Sequence, residues 1–478
     1  MVTGITTTRI RKTVQILSLI AFIGLTVAAP LLAIEWLPAQ LFSRLDPLVG
    51  LTVIIASRAW IAWGALGILT IGLTLLFGRV WCGWICPLGT TLDLVPARKK
   101  GIAKRIPSWW RWGKYVTLTV VIVAALLGSL APMFLDPVTV VLRPLQEIAM
   151  PFAGSDAVGI GVGTYISRDA IASVAYLSLL PFILILLLNA ITRRFWCRSL
   201  CPLGALLSLV SRVSLVTRYV DTEACTSCGR CARECPTAAI ELAKEYASSS
   251  SECIVCHKCA ERCPASAISF PADPTLHPMV FVPERREAIG AMGVASVSVA
   301  ATLALPVLGG DEEILRPPST TESRLAERCV RCGNCYSLCP TGVLKPSTAF
   351  LSESGLWTPM LDERPAHCTL NCNLCAEVCP TDALHTPTER EIQILGLGAT
   401  ARVDRGTCIS WSKAKDCMKC QAACPIVGAI VSTREYVVAH RNAREVNVPH
   451  VVADLCIGCE QCVRVCPASP TPAIEVRL

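Results

Sequence analysis

The stretch Cys225-Thr-Ser-Cys228-Gly-Arg-Cys231-Ala-Arg-Glu-Cys235-Pro236 spaces four thiols as C-x2-C-x2-C-x3-C and closes on a proline. Three thiols on one tight loop reach three corners of an iron–sulfur cubane, and the fourth sits at the head of the next element. Pro236 cannot extend a helix backward through that turn. Regular or lengthened versions of the run follow at Cys253/Cys256/Cys259/Cys263, Cys329/Cys332/Cys335/Cys339, Cys368/Cys372/Cys375/Cys379, Cys408/Cys417/Cys420/Cys424 and Cys456/Cys459/Cys462/Cys466. The remaining cysteines form two pairs, Cys82/Cys86 and Cys197/Cys201, and every set ends in Cys-Pro. All 28 cysteines are thereby placed. Zinc pairs two Cys-x-x-Cys elements and leaves a third thiol without a role. Cys253-Ile-Val-Cys256-His257 also spells a c-haem attachment site, but it lies inside a complete four-cysteine run. The reading is therefore six [4Fe–4S] clusters, one per four-cysteine set.

Composition sets the expected fold. Of the 478 residues 53% are hydrophobic and only 17% charged, which is the balance of a membrane protein. Uncharged stretches run Thr13–Ile34, Ala59–Gly78, Tyr115–Leu135, Ala170–Thr192 and Ala288–Leu308. Each has about 20 residues, the length a helix needs to cross a bilayer. The expectation is an α-helical membrane domain of four spans plus a fifth, with small α+β ferredoxin-like [4Fe–4S] domains. The first stretch lacks a small-residue cleavage site and reads as an anchor.

The net charge of +8 does not point to nucleic acid, because the basic residues are arranged by topology. Arg9, Arg11 and Lys12 precede the first stretch, residues 98–114 carry seven Lys and Arg, Arg193, Arg194 and Arg198 follow the fourth, and Arg285-Arg286 precede the fifth. With alternating spans all lie on one side, the positive-inside pattern of a bacterial inner-membrane protein with a cytoplasmic N-terminus. Trp36, Trp60, Trp81, Trp110, Trp112 and Trp196 near stretch ends suit an interfacial belt. The layout is then a four-span domain at 1–216, a cytoplasmic two-cluster domain at 217–282, a signal-like fifth span at 283–309, and a four-cluster domain at 310–478 in the periplasm. Arg285-Arg286 before a mildly apolar stretch resembles a twin-arginine signal, which exports folded proteins, although Glu287-Ala288-Ile289 departs from its usual continuation. Short elements are expected in 217–282, since clusters replace a hydrophobic core there.

An internal repeat aligns Trp81-Cys-Gly-Trp-Ile-Cys-Pro-Leu-Gly89 with Trp196-Cys-Arg-Ser-Leu-Cys-Pro-Leu-Gly204. Leu45-Asp46-Pro47 and Leu135-Asp136-Pro137 repeat more loosely. Two related hairpins bring Cys82, Cys86, Cys197 and Cys201 toward a pseudo-twofold axis, where they would hold an extra metal or cofactor, cycle as dithiols, or stand as inert thiols at tight turns. No His precedes His257, so residues before it cannot hold a bis-histidine haem. Gly159-x-Gly161-x-Gly163 follows no strand and reads as a loop. Asp46, Asp136 and Glu35 are the carboxylates placed to accept protons, against the plainer role of capping helix ends.

With these motifs in view, residues 1–282 resemble the NapH-type subunit of periplasmic nitrate reductase systems, through the paired W-C-x3-C-P-L-G motifs and the two-cluster block. Residues 283–478 resemble the NapG/MauM-type four-cluster protein, through the arginine pair, the regular Cys329 run, Cys368-x3-Cys372, Cys408-x8-Cys417 and the regular Cys456 run. The chain is thus similar to a fusion of two proteins. The resemblance implies a quinol dehydrogenase at a lipid bilayer, drawing on the quinone pool and passing electrons to a periplasmic redox partner. NosR-type and CcoG-type proteins share the Cys-x3-Cys-Pro motifs without the four-cluster tail. They imply the alternative, a maturation factor that reduces a metal or disulfide.

Overall fold

Leu45-Asp46-Pro47 and Leu135-Asp136-Pro137 each open a helix, Pro47–Ser57 and Pro137–Ala149. The cause is local. The aspartate takes the first free backbone N–H groups, and proline fits the first helical position because it has no N–H to lose. Asp46 Oδ1 accepts from Leu48 N at 2.8 Å, and Asp136 Oδ2 accepts from Val138 N and Thr139 N at 3.0 Å. Cys-Pro puts its proline at the same first helical position. Cys86 and Cys201 cap the helices Pro87–Leu94 and Pro202–Val210, and Cys201 Sγ accepts from Gly204 N at 3.2 Å.

This computed structural model describes residues 4–28, 40–95, 108–149, 168–241, 245–272, 293, 316–317, 319–339, 342–347, 355–361, 372–386, 388, 400–439, 442–459, 461–469 and 471–477. It corrects the four-span expectation. Among the described residues no helix is long and apolar enough to cross a membrane. Stretch 59–78 is divided into a 3-10 turn at Ala62–Gly64 and a helix of 13 residues, Ala65–Phe77, ended by Gly78 at φ +72°. Stretch 115–135 gives a helix of 14 residues, Gly113–Leu126, followed by Gly128 at φ +81° and a 3-10 turn at Ala131–Leu135. At 1.5 Å per residue such helices are about 20 Å long, against the ~30 Å of a hydrocarbon layer. Helix Gly4–Ile23 includes Arg9, Arg11 and Lys12 and passes into a π-turn at Gly24–Ala28. Helix Arg168–Ile191 opens on Arg168-Asp169 and carries Pro181 inside it. The fifth stretch lies outside the described residues apart from Gly293.

The apolar residues build one core instead. Leu48, Val49 and Val53 meet Leu118, Val121, Ala125, Val138 and Leu142 there. The flanking cations are not a solvated fringe: Arg194 and Lys114 are 0% exposed and Arg11 1%. Nor are Trp81 and Trp196 interfacial, since both are buried in the same core.

The cysteine-bearing units are small, with short elements. Tyr219–Val220 pairs antiparallel with Ile268–Ser269 and closes the first unit. Thr400–Val403 pairs with Ile474–Arg477 and closes the last in the same way, around an inserted hairpin of Ile430–Ala439 and Asn442–Val451. Between them, Leu344–Pro346 pairs with Pro359–Leu361. The first and the middle units sit at opposite ends of the helical body. Lys114, at one end of its helix, bonds Glu252 of the first unit, and Leu130, beyond the other end, donates its N–H to Ala326 O. Likewise Trp63 Nε1, at the start of the Ala65 helix, donates to Asp382 Oδ2 at 3.0 Å, while a Cβ on Gly78 at its end would stand 3.3 Å from Val255.

Candidate iron–sulfur sites

Four cavities are each walled by four cysteines. Cys225, Cys228 and Cys231 share one with Cys263, while Cys253, Cys256 and Cys259 share another with Cys235. The last unit repeats the exchange, joining Cys408, Cys417 and Cys420 to Cys466, and Cys456, Cys459 and Cys462 to Cys424. The exchange follows from the closing strand pairs, which fold each second motif back onto the first. In the middle unit Cys379 lies with Cys329, Cys332 and Cys335, and Cys339 lies with Cys372 and Cys375. Neighbouring motifs therefore associate in the tail as well. Cys368 lies outside the described residues.

Burial pushes the thiols up, Cys253, Cys332, Cys375 and Cys462 to about 12. A free thiol there keeps its proton, so loading with iron must displace it. Among the described residues no three His, Cys, Asp or Glu are close enough to hold a single metal ion. A lone ion draws its ligands to about 2.3 Å from one point, whereas a cubane spreads its four thiolates over four irons. The cavities fit the larger group.

Cys82, Cys86, Cys197 and Cys201 come together too. All four are buried and free of disulfides, in one core with Cys256 of the first unit and Cys332 of the middle unit. Two buried charge clusters flank them, which the sequence reading did not find. Glu252 takes Lys114 Nζ on Oε1 and Arg79 on Oε2. Asp93 pairs with Arg194 at 3.0 Å and Arg11 at 3.2 Å. Burial opposes the Asp93 anion, but Arg194, Lys258 and Arg11 outweigh it and hold the carboxyl well below its usual range. Arg194 also donates to Cys82 O at 2.7 Å and Gly89 O at 2.9 Å, tying one repeat to the other. A signal was there: both repeats carry Arg two residues before the Trp.

The first unit docks directly on this region. Trp84 Nε1 donates to Val255 O at 3.0 Å, and a Cβ on Gly83 would stand 2.2 Å from Ile254 O. Gly83→Ala is therefore expected to cost about 3 kcal/mol, the upper end for overpacking, because backbone cannot rotate away. Thermal unfolding of the loaded chain checks this, and an unchanged midpoint would contradict the contact. The middle unit docks at the far end through Arg143, whose Nε and Nη2 donate to Arg331 O and whose guanidinium stacks 4.0 Å over the Trp357 ring.

Asp46 and Asp136 cap their helices and also face each other. Both are 0% exposed, and Asp46 Oδ2 and Asp136 Oδ1 have no donor. Burial raises both carboxyls above their usual range, and Asp136 raises Asp46 further, so a proton shared between them satisfies the pair. Glu35 lies outside the described residues.

Paired four-cysteine cavities on short loops define an iron–sulfur protein of the ferredoxin kind. Residues 59–105 and 174–218 match a 4Fe-4S binding domain, 218–241 a second 4Fe-4S binding domain, and 328–383 and 413–469 a 4Fe-4S dicluster domain. The ferredoxin-type protein NapG of Escherichia coli (strain K12) is 33% identical over 193 residues, which is 38% of this chain and 79% of that protein. The methylamine utilization ferredoxin-type protein MauN of Methylorubrum extorquens is 30% identical over 240 residues, 47% of this chain and 73% of its own. MauM of Methylobacillus flagellatus is 31% identical over 156 residues, 32% and 64% of the two chains. No solved structure matches. The chain belongs to the family of ferredoxin-type proteins that includes NapG, and it is an iron–sulfur electron-transfer protein.

Proposed function

We propose that this protein oxidises quinol and delivers electrons to a periplasmic reductase, a NapH-like part at 1–282 being joined to a NapG-like part at 283–478. The observation that carries the reading is the continuity of the core. Thiols of the first unit, the two repeats and the middle unit share it, from one end of the helical body to the other. Bound [4Fe–4S] clusters, six by cysteine set, supply one-electron transfer.

The chain's own residues supply the rest. Ile68, Leu69 and Leu76 on one helix and Leu184 and Leu187 on another are exposed and offer aliphatic surface to a lipid-soluble donor. Quinol oxidation releases two protons with its two electrons, and the Asp46–Asp136 pair would take up one of them beside the proton it already shares. The protein would reside at a bacterial inner membrane, with residues 310–478 facing a periplasmic partner. A reporter fused at Leu478 should then be active on the periplasmic side, and activity confined to the cytoplasm would overturn that placement.

The test of function is anaerobic mixing of loaded protein with quinol. The clusters should be reduced, and Asp46→Asn should slow that reduction by about 10²-fold, the usual size of a lost general base. Asn still caps the helix, so assembly should persist. Clusters that dithionite reduces and quinol does not would favour the maturation factor.

The dyad also sets a pH dependence. Folding raises these carboxyls, so their contribution to stability is complete below the ordinary Asp value of about 3.9 and is lost as pH climbs through the raised values. Denaturation of Asp46→Asn at rising pH should show a shallower loss than wild type. An equal slope would mean that the pair is not protonated in the fold.

A further inference from the structure

One side chain lines both cavities of the first unit. Arg218 borders the set Cys225, Cys228, Cys231 and Cys263 and also the set Cys235, Cys253, Cys256 and Cys259, and no other residue is common to the two. Its place follows from the strand that closes the unit. Arg218 leads into Tyr219–Val220, which pairs with Ile268–Ser269. Successive side chains of a strand point to opposite faces. Tyr219 turns outward and is 43% exposed, while Arg218 turns inward and is 6% exposed.

The guanidinium is only partly used by the protein. Nη1 donates to Tyr246 O at 2.7 Å, whereas Nε and Nη2 have no acceptor. Among the described residues no carboxylate pairs with Arg218. The buried cations of the helical body differ, since Arg79 and Lys114 have Glu252, and Arg11 and Arg194 have Asp93. Buried N–H groups are almost always bonded and buried charges paired, so open donors on an unpaired cation mark the side that cluster sulfur would occupy.

The last unit has the same plan without the cation. Arg218-Tyr-Val-Asp221 aligns with Ala401-Arg-Val-Asp404. The two aspartates do the same work, accepting from Glu223 N at 3.0 Å and from Gly406 N at 2.9 Å. Ala401 is 3% exposed and lines one cavity, and no residue is common to the two cavities there. Closing such a unit therefore does not require an arginine at this position.

The charge has a consequence for the clusters. An oxidised cubane with its four thiolates is a dianion, and reduction adds one more negative charge. A cation between two cubanes favours the reduced form of each. Burial raises the surrounding thiols, and Arg218 acts against it at Cys231, Cys253 and Cys259, which belong to both sets.

We propose that Arg218 is the shared counter-charge of the two clusters of the first unit, its open donors available to their sulfurs, and that it raises the midpoint potential of both. The first unit is thereby biased to hold electrons on either side of one cation. The role does not depend on quinol being the electron donor.

The test is a redox titration with dithionite, read by EPR, on full-length protein isolated without oxygen. The two signals of the first unit are those lost in Cys235→Ala and in Cys263→Ala. Arg218→Gln should keep the iron, lower the potentials of both signals and leave the others where they are. Arg218→Lys keeps the charge with a shorter reach and should lower both by less. A shift of one signal alone, of neither, or of all signals equally overturns the proposal. If Arg218→Gln does not load the first unit, Arg218→Lys decides on the same terms. Loss of the unit's iron from both variants would make Arg218 a residue of the fold alone and overturns the proposal likewise. Failure of quinol to reduce the protein would leave the titration unaffected.

Discussion

Glu252→Ala is expected to destabilise the chain by about 3 to 5 kcal/mol, the cost of leaving buried charge without its partner. Lys114 and Arg79 are both buried, and Glu252 is the carboxylate they share. Burial opposes the Glu252 anion, yet Lys114 and Arg79 outweigh it and lower its pKa. Removing the carboxylate strands two cations in the core at once. Glu252 also adjoins Cys253, so the loss falls where the first unit meets the repeats. Thermal or denaturant unfolding of the loaded protein measures it. Glu252→Gln should recover little, because an amide accepts a hydrogen bond but neutralises nothing. A change below about 1 kcal/mol would place the pair in the weak class of exposed ion pairs and contradict the burial.

Cys235→Ala should remove the iron held by Cys253, Cys256 and Cys259 and spare that held by Cys225, Cys228 and Cys231. The expectation runs against sequence proximity and rests on the exchanged cavities. Cys263→Ala should do the reverse. Each variant is expected to lose about 4 of ~24 irons, one cubane, with a different EPR signal missing from each. The same signal lost from both variants would contradict the exchange.

The cysteine sets were legible because a cubane needs thiols at fixed local spacing, and their partners follow from folding one motif onto the next. The repeat was legible for the same reason. The short helices were not. Apolar composition runs unbroken through the 3-10 turn at Ala62–Gly64 and through Gly128, whose positive φ lies inside the next stretch, so composition marks neither helix end. The cations misled in a different way. A cation beside an apolar stretch reads as an interfacial flank, while Lys114 has its partner 138 residues away in Glu252. Nothing local announces such a pair. Asp46 and Asp136 were legible as caps and as titratable groups, and the structure gives them both properties together. Docking of the middle unit through Arg143 and Arg331 carries no sequence signal, because the contact is to a backbone carbonyl.

The central claim is that these cysteine sets hold iron–sulfur clusters that carry electrons. The most direct measurement is iron, sulfide and zinc content with EPR before and after dithionite, on protein isolated anaerobically. The account predicts at least ~24 irons with matching sulfide, negligible zinc, and the spectrum of several interacting reduced [4Fe–4S] clusters. Stoichiometric zinc with little iron, or iron that dithionite does not reduce, would contradict it.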